Sequence, residues 1–131
     1  MGAKVTAVDF SDVAIKEAKK LAKKINTRVE FIESDVLDLK LKKEFDIVFS
    51  SYGVIGWLPD LDMWAKTISD HLKKGGRFLL TEFHPFLELI KDNGYDYFYD
   101  SNPDIEIENG TYTHGGSELV TKTCWWNHSL T

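Results

Sequence analysis

Apolar and polar positions change period several times along the chain, and each change marks an element. Val5–Val8 is a short apolar, β-branched run that ends on Asp9. Behind it Ala14, Ala18, Leu21, Ala22 and Ile25 recur at the i, i+4, i+7, i+8, i+11 spacing of one buried helical face, with Ser11 placed to cap the helix and Asn26 to stop it. Residues 28–33 alternate, with Val29 and Phe31 on one side, as a strand does. A lysine-rich connection leads to Phe45–Ser50, apolar enough for a strand buried on both faces. A loop with Gly53 and Gly56 follows. A helix is then expected from about Asp60, with Leu61, Trp64, Ala65, Ile68 and Leu72 on one face, ending in Lys73-Lys74-Gly75-Gly76. Residues 77–83 read as the next strand.

Strand, helix, strand, linker, strand, helix, strand is the order of a mostly parallel, Rossmann-like α/β sheet. After His84-Pro85 the texture changes. Residues 86–91 suit one or two helical turns, Asn93-Gly94 suits a turn, and Tyr95, Tyr97, Phe98 and Tyr99 cluster. Residues 105–108 and 118–126 read as two strands. One incomplete domain is expected over 1–131: a parallel core over 1–85, an antiparallel, lid-like excursion over 86–126, and the start of a helix over 127–131.

Composition narrows the function more than the fold. The chain has 131 residues, 43% hydrophobic and 28% charged, with a net charge of −5. That balance argues against a nucleic-acid partner, which favours a basic face. Its lysine clusters suit solvated surfaces. One cysteine, Cys124, allows no internal disulfide and suits a small buried side chain. No apolar run reaches spanning length, so the expected setting is cytoplasmic and away from membranes. No His/Cys/Asp/Glu cluster has metal-ligand spacing.

The chemistry gathers at the strand ends. In an open parallel sheet, ligands bind outside the carboxyl ends of the strands, and an acid there can hold a ribose diol. Asp9 fits that role; it equally fits the start of a helix, where negative charge is favoured. Asp35 suits an acceptor for an adenine amino group, and Phe10 and Val36 suit the two faces of the ring. Ser50 and Ser51 end the third strand on the same crevice. Tyr52, Trp57, Trp126 and His128 are candidates for an acceptor pocket. His84 is the candidate general base, or a histidine that shapes the turn before Pro85. Trp64 falls on the helical stripe and belongs to the core. Of Trp125 and Trp126, which strand alternation points apart, one packs on the core or on a partner. His71 suits a partner for its helix's C-terminal dipole.

Taken together, Val5–Asp9, Glu33-Ser34-Asp35-Val36, Phe45–Ser50 and Lys73-Lys74-Gly75-Gly76-Arg77-Phe78-Leu79 resemble the second to fifth strands of a class I S-adenosylmethionine-dependent methyltransferase. Glu82-Phe83-His84-Pro85-Phe86 and Trp126-Asn127-His128-Ser129-Leu130 resemble its bacterial small-molecule branch. The resemblance implies S-adenosylmethionine as cofactor and methyl transfer to a small-molecule acceptor. It also implies a glycine-rich loop after a preceding strand, and the chain contains no G-x-G. The chain therefore reads as starting and stopping inside the fold, with the absent strand belonging between Val5–Val8 and Phe45–Ser50. Self-association through exposed strand edges and weak cofactor binding are expected of it. Two other readings share features with this one. An NAD(P)-dependent oxidoreductase uses the same ribose acid, and a truncated remnant could serve as a non-enzymatic assembly module.

Overall fold

A computed structural model describes residues 2–83, 101–110 and 120–128, with the backbone alone at Ser51. Its elements in order are β1 (Val5–Asp9), α1 (Asp12–Lys24), β2 (Val29–Glu33), β3 (Phe45–Ser51), a 3-10 turn (Ile55–Trp57), α2 (Leu61–Asp70), β4 (Leu72–Thr81), β5 (Asp104–Asn109) and β6 (Val120–Trp125). The sequence expectations at residues 84–100, 111–119 and 129–131, including the helical turns, the Asn93-Gly94 turn and the tyrosine cluster, lie outside the described residues. Residues 126–128, expected to open a helix, carry no helical assignment.

The strands form three two-stranded ladders: β1 with β2, parallel; β3 with β4, parallel; and β5 with β6, antiparallel. Among the described residues, β1 and β3 do not pair.

Local chemistry explains both helices. The Ser11 hydroxyl accepts from the Ala14 N–H, Asp12 sits in the first turn, and Lys23 and Lys24 sit in the last, where the macrodipole favours them. Asn26 ends the helix in the left-handed region, at φ 53°. The buried stripe differs from the expected one. Ile15 and Ala22 are buried, whereas Ala14, Leu21 and Ile25 are exposed. Helix α1 packs chiefly on β2, so only the stripe turned toward β2 is covered.

Helix α2 starts as expected, with the Asp60 carboxylate accepting from the Met63 N–H. It stops earlier, at Asp70, with His71 as its C-cap. The Phe45 N–H donates to the His71 carbonyl (2.8 Å), so Leu72 is already strand. Lys73–Gly76, expected as the helix terminus, lies within β4. There the register jumps from Phe45↔Leu72 to Ile47↔Arg77, and Gly75 takes φ 80° where the extra residues turn.

Trp64 is buried, as its place on the stripe implies, and meets Phe78 edge-on at 5.6 Å. That contact covers one face of β3–β4. Among the described residues the opposite face is not covered. Ile47, Phe49 and Leu79 are 55%, 58% and 48% exposed, so β3 is not buried on both faces as its composition suggests. Among the described residues no element packs there.

His71 does more than face a helix dipole. Its ring is buried; Nδ1 lies 2.7 Å from the Thr67 carbonyl, and Nε2 accepts from the Leu41 N–H at 2.9 Å. An acceptor at Nε2 and a carbonyl at Nδ1 fix the neutral, Nδ1–H form. The ring thereby ties the connection ahead of β3 to the end of α2.

Candidate functional site

The carboxyl ends of β1 and β2 abut. Asp9 pairs with Glu33, and the Ser34 N–H donates to the Asp9 carbonyl at 3.0 Å. Asp35 therefore stands two residues beyond Asp9's partner, on the same sheet edge. Each acid shapes its own turn with one oxygen: Asp9 Oδ1 accepts from the Ser11 N–H (2.8 Å), and Asp35 Oδ1 accepts from the Leu37 N–H (2.9 Å). In both, Oδ2 makes no hydrogen bond among the described residues. Phe10, beside Asp9, is 80% exposed, and Val36 is half-buried. The edge thus offers two held carboxylates, each with one oxygen that accepts no hydrogen bond among the described residues, and an exposed aromatic ring beside Asp9. Those acceptors can receive hydrogen bonds from a diol and from an exocyclic amine.

The second group of candidates lies on the other parallel ladder. Ser50 and Ser51 pair with Leu80 and Thr81 at the end of β3–β4. The chain then turns sharply. Tyr52 adopts φ 64°, uncommon for a residue with a large side chain, and Gly53 adopts φ 85°. Tyr52 is 81% exposed, and its N–H donates to the Thr81 carbonyl at 2.8 Å. Glu82, just past β4, secures the turn: its Oε2 accepts from the Val54 N–H at 3.0 Å. Phe83 closes over Gly53, where a Cβ would meet its ring at 3.0 Å.

The chain following β6 returns to this turn. The Trp126 N–H donates to the Gly56 carbonyl (2.8 Å), and His128 Nε2, facing the Leu58 carbonyl at 2.8 Å, donates to it. Trp57 and Trp125 pack with ring centroids 4.1 Å apart and planes tilted by 40°. So Trp57, Trp126 and His128 are brought together around residues 52–58, with Tyr52 on the same turn. Trp125, not Trp126, supplies the tryptophan that stacks. Sequence reasoning carried Glu82 only within the Glu82–Phe86 motif and Gly56 only as a loop glycine, and gave neither a partner. An acid at a strand end opposite a glycine-containing turn is the signal that could have found the role of Glu82; no local pattern paired Gly56 with Trp125. His84 lies outside the described residues.

The two groups stand on separate ladders, and no hydrogen bond joins them among the described residues. A cleft of about 1170 Å³ lies elsewhere, at the amino ends of the strands, lined by Val5, Val29, Phe31 and Phe45 with charged neighbours. None of the candidate site residues lines it. Lys43 pairs with Glu30 at this end, and Lys73 with Asp46 (2.9 Å). Lys43, with the Thr6 hydroxyl, holds the Glu30 carboxyl below the usual range, and Lys73 does the same for Asp46.

The sequence profile of the methyltransferase-domain family matches residues 1–76, more than half of the chain. The chain belongs to that family. Solved structures share the fold of this methyltransferase domain. An S-adenosylmethionine-dependent methyltransferase from Clostridium acetobutylicum is 18% identical, with a TM-score of 0.63, over 95% of this chain and 56% of its own. A protein from Pyrococcus horikoshii is 22% identical, with a TM-score of 0.65, over 98% of this chain and 57% of its own. The N-methyltransferase NodS from Bradyrhizobium japonicum, in complex with S-adenosyl-L-homocysteine, is 15% identical, with a TM-score of 0.51, over 95% and 66%. The methyltransferase domain described here thus spans little more than half the length of the first two. No curated protein matches it. Among the described residues, no helix is long and apolar enough to cross a membrane.

Proposed function

We propose that this chain takes part in S-adenosylmethionine-dependent methyl transfer to a small-molecule acceptor, in the cytoplasm. The observation that carries the reading is the pair of carboxylates on one sheet edge of a methyltransferase-family chain, each with one oxygen fixed in a turn and the other open. Asp9 would hold the ribose hydroxyls and Asp35 the adenine amino group. Phe10 and Val36 would flank the ring, and Ser50 and Ser51 would border the crevice. The cofactor supplies an electrophilic methyl on a sulfonium, so the protein's task is chiefly to position two reactants in line. Tyr52, Trp57, Trp126 and His128 would form the acceptor wall, held rigid by Glu82 and by the bonds at Gly56 and Leu58. His84 is the candidate base where the acceptor must lose a proton.

An oxidoreductase would use Asp9 in the same way; the Asp35-Val36 pair favours the methyltransferase. Thermal shift with S-adenosylhomocysteine, S-adenosylmethionine and NAD, each taken into the millimolar range, tests the choice. Ligands that bind only the folded state raise its melting temperature. The two sulfur compounds should raise it and NAD should do so less. A larger shift with NAD overturns the reading.

A further inference from the structure

Glu82 is half-buried and holds the turn after β3 with one carboxylate oxygen, Oε2, which accepts from the Val54 N–H. Its second oxygen, Oε1, makes no hydrogen bond among the described residues. Oε1 lies 3.9 Å from the point that a Cβ on Gly53 would occupy, and the Phe83 ring lies 3.0 Å from the same point. A carboxylate oxygen and an aromatic ring thus meet over a backbone position that carries no side chain. Phe83, Tyr52 and Trp57 are all exposed. Tyr52 holds its place through a left-handed backbone, a kind of strain that gathers at ligand sites.

The charge around this turn has one sign. Residues 50–65, 78–83 and 123–128 supply the turn and the chain against it; they contain Asp60, Asp62 and Glu82 and no lysine or arginine. Asp60 is engaged by the Met63 N–H at the start of α2. Glu30 and Asp46, at the other end of the strands, each have a lysine beside them. Glu82 has no such partner among the described residues. A carboxylate without a fixed cation, set among exposed aromatic rings, is suited to receive one. The oxygen accepts a charge-assisted hydrogen bond, and the ring faces attract positive charge.

We propose that Glu82 selects an acceptor that carries an ammonium group, an inference that rests on the methyl-transfer function proposed above. The ammonium donates to Oε1 and packs on Phe83 and Tyr52, while Oε2 keeps the turn in place. One side chain then both positions the turn and sets the specificity of the site. An anionic acceptor is repelled by the same oxygen, and a neutral hydroxyl gains only a weaker hydrogen bond.

Titration of the full chain with phenethylamine, phenethyl alcohol and hydrocinnamate, at neutral pH and fixed ionic strength, decides it, with tryptophan fluorescence as the readout. The probes share a ring and differ in charge: cation, neutral molecule and anion. The amine should half-saturate at a concentration about tenfold or more below the alcohol, the size of one charge-assisted hydrogen bond, and the anion should not bind. Glu82→Gln keeps an oxygen for the Val54 N–H and should bind amine and alcohol alike; circular dichroism checks its fold. Should that variant unfold, Phe83→Leu replaces it and should weaken the amine about threefold more than the alcohol, as the loss of a cation–π contact does. A wild type that does not bind the amine, or binds amine and alcohol equally, overturns the proposal. So does a preference for the amine that survives intact in Glu82→Gln, or an equal loss of both probes in Phe83→Leu. Thermal shift with S-adenosylhomocysteine on the same samples keeps the two proposals apart. Stabilisation without a preference for the amine removes the ammonium acceptor and leaves methyl transfer standing; the preference without stabilisation leaves a cation site and removes methyl transfer.

Discussion

The indole of Trp125 occupies the space that a side chain on Gly56 would need: a Cβ there would lie 2.5 Å from the ring. The stacking of Trp125 on Trp57 and the bond from the Trp126 N–H to the Gly56 carbonyl both depend on this approach. Gly56→Ala should therefore push the β5–β6 hairpin away from the turn after β3. The cost should be about 1–3 kcal/mol, the usual range for overpacking. Urea denaturation measures it, and near-ultraviolet circular dichroism should lose the Trp57–Trp125 signal. An unchanged spectrum counts against this contact.

The open oxygen of Asp9 leads to a binding prediction. Hydrogen bonds to a charged group are worth about 1.5–3 kcal/mol. Asp9→Ala should thus weaken S-adenosylhomocysteine binding about tenfold to a hundredfold by calorimetry, and Asp9→Asn less, because one acceptor remains. Equal affinity in wild type and Asp9→Ala would remove the residue from the site.

Asp35 is tested by changing the ligand. An inosine analogue replaces the adenine amino group with a keto oxygen and sets two acceptors face to face. It should bind worse than the adenosine form, and Asp35→Asn, whose amide can turn to donate, should narrow the gap. The same discrimination in both proteins would exclude the contact.

Glu30 predicts a response to acid. Its carboxyl titrates below the usual range because Lys43 and Thr6 favour its charged form. A depressed carboxylate stabilises the fold above its unfolded-state value and loses that contribution as pH falls through its folded-state value. The link between β2 and the chain entering β3 should weaken below about pH 4, where unperturbed carboxylates protonate. Glu30→Gln should be less stable at neutral pH and should lose less on acidification. Denaturation curves at pH 7 and pH 3 compare the two.

His71 separates two roles of one ring. His71→Ala leaves the Leu41 N–H without its acceptor and opens a buried space beside α2, so a loss of about 2–4 kcal/mol is expected. His71→Gln keeps an acceptor at a similar reach and should recover part of that loss. Equal stability of the two variants would mean that the Leu41 bond contributes nothing.

What the sequence made legible follows the range of the interactions. The caps at Ser11 and Asp60, the left-handed stop at Asn26 and most strand bounds depend on near neighbours, and residues alone sufficed. The end of α2 did not. Leu72 continues the helical spacing from Ile68, but its ladder partner Phe45 is far away in sequence and claims it for the strand. The expected stripe on α1 failed similarly, because Leu21 and Ile25 satisfy the period while β2 covers only the neighbouring stripe. At the candidate site, the placement of Asp9 and Asp35 at neighbouring strand ends follows from position along the chain. The partnership of Trp125 with Gly56 does not, since it joins two residues that no local pattern relates.

The two parallel ladders also bear on how the chain comes together. Each closes within one strand–helix–strand stretch, residues 5–33 and 45–81, and among the described residues no backbone pairing crosses from one to the other. Lys43, in the connection just ahead of β3, pairs with Glu30 of β2 through exposed side chains. Such stretches behave as separate cooperative units, each opening with its own free energy. Melting should then proceed in steps, and a protease cut within residues 34–44 should leave two fragments that each keep their own hydrogen-bonded core.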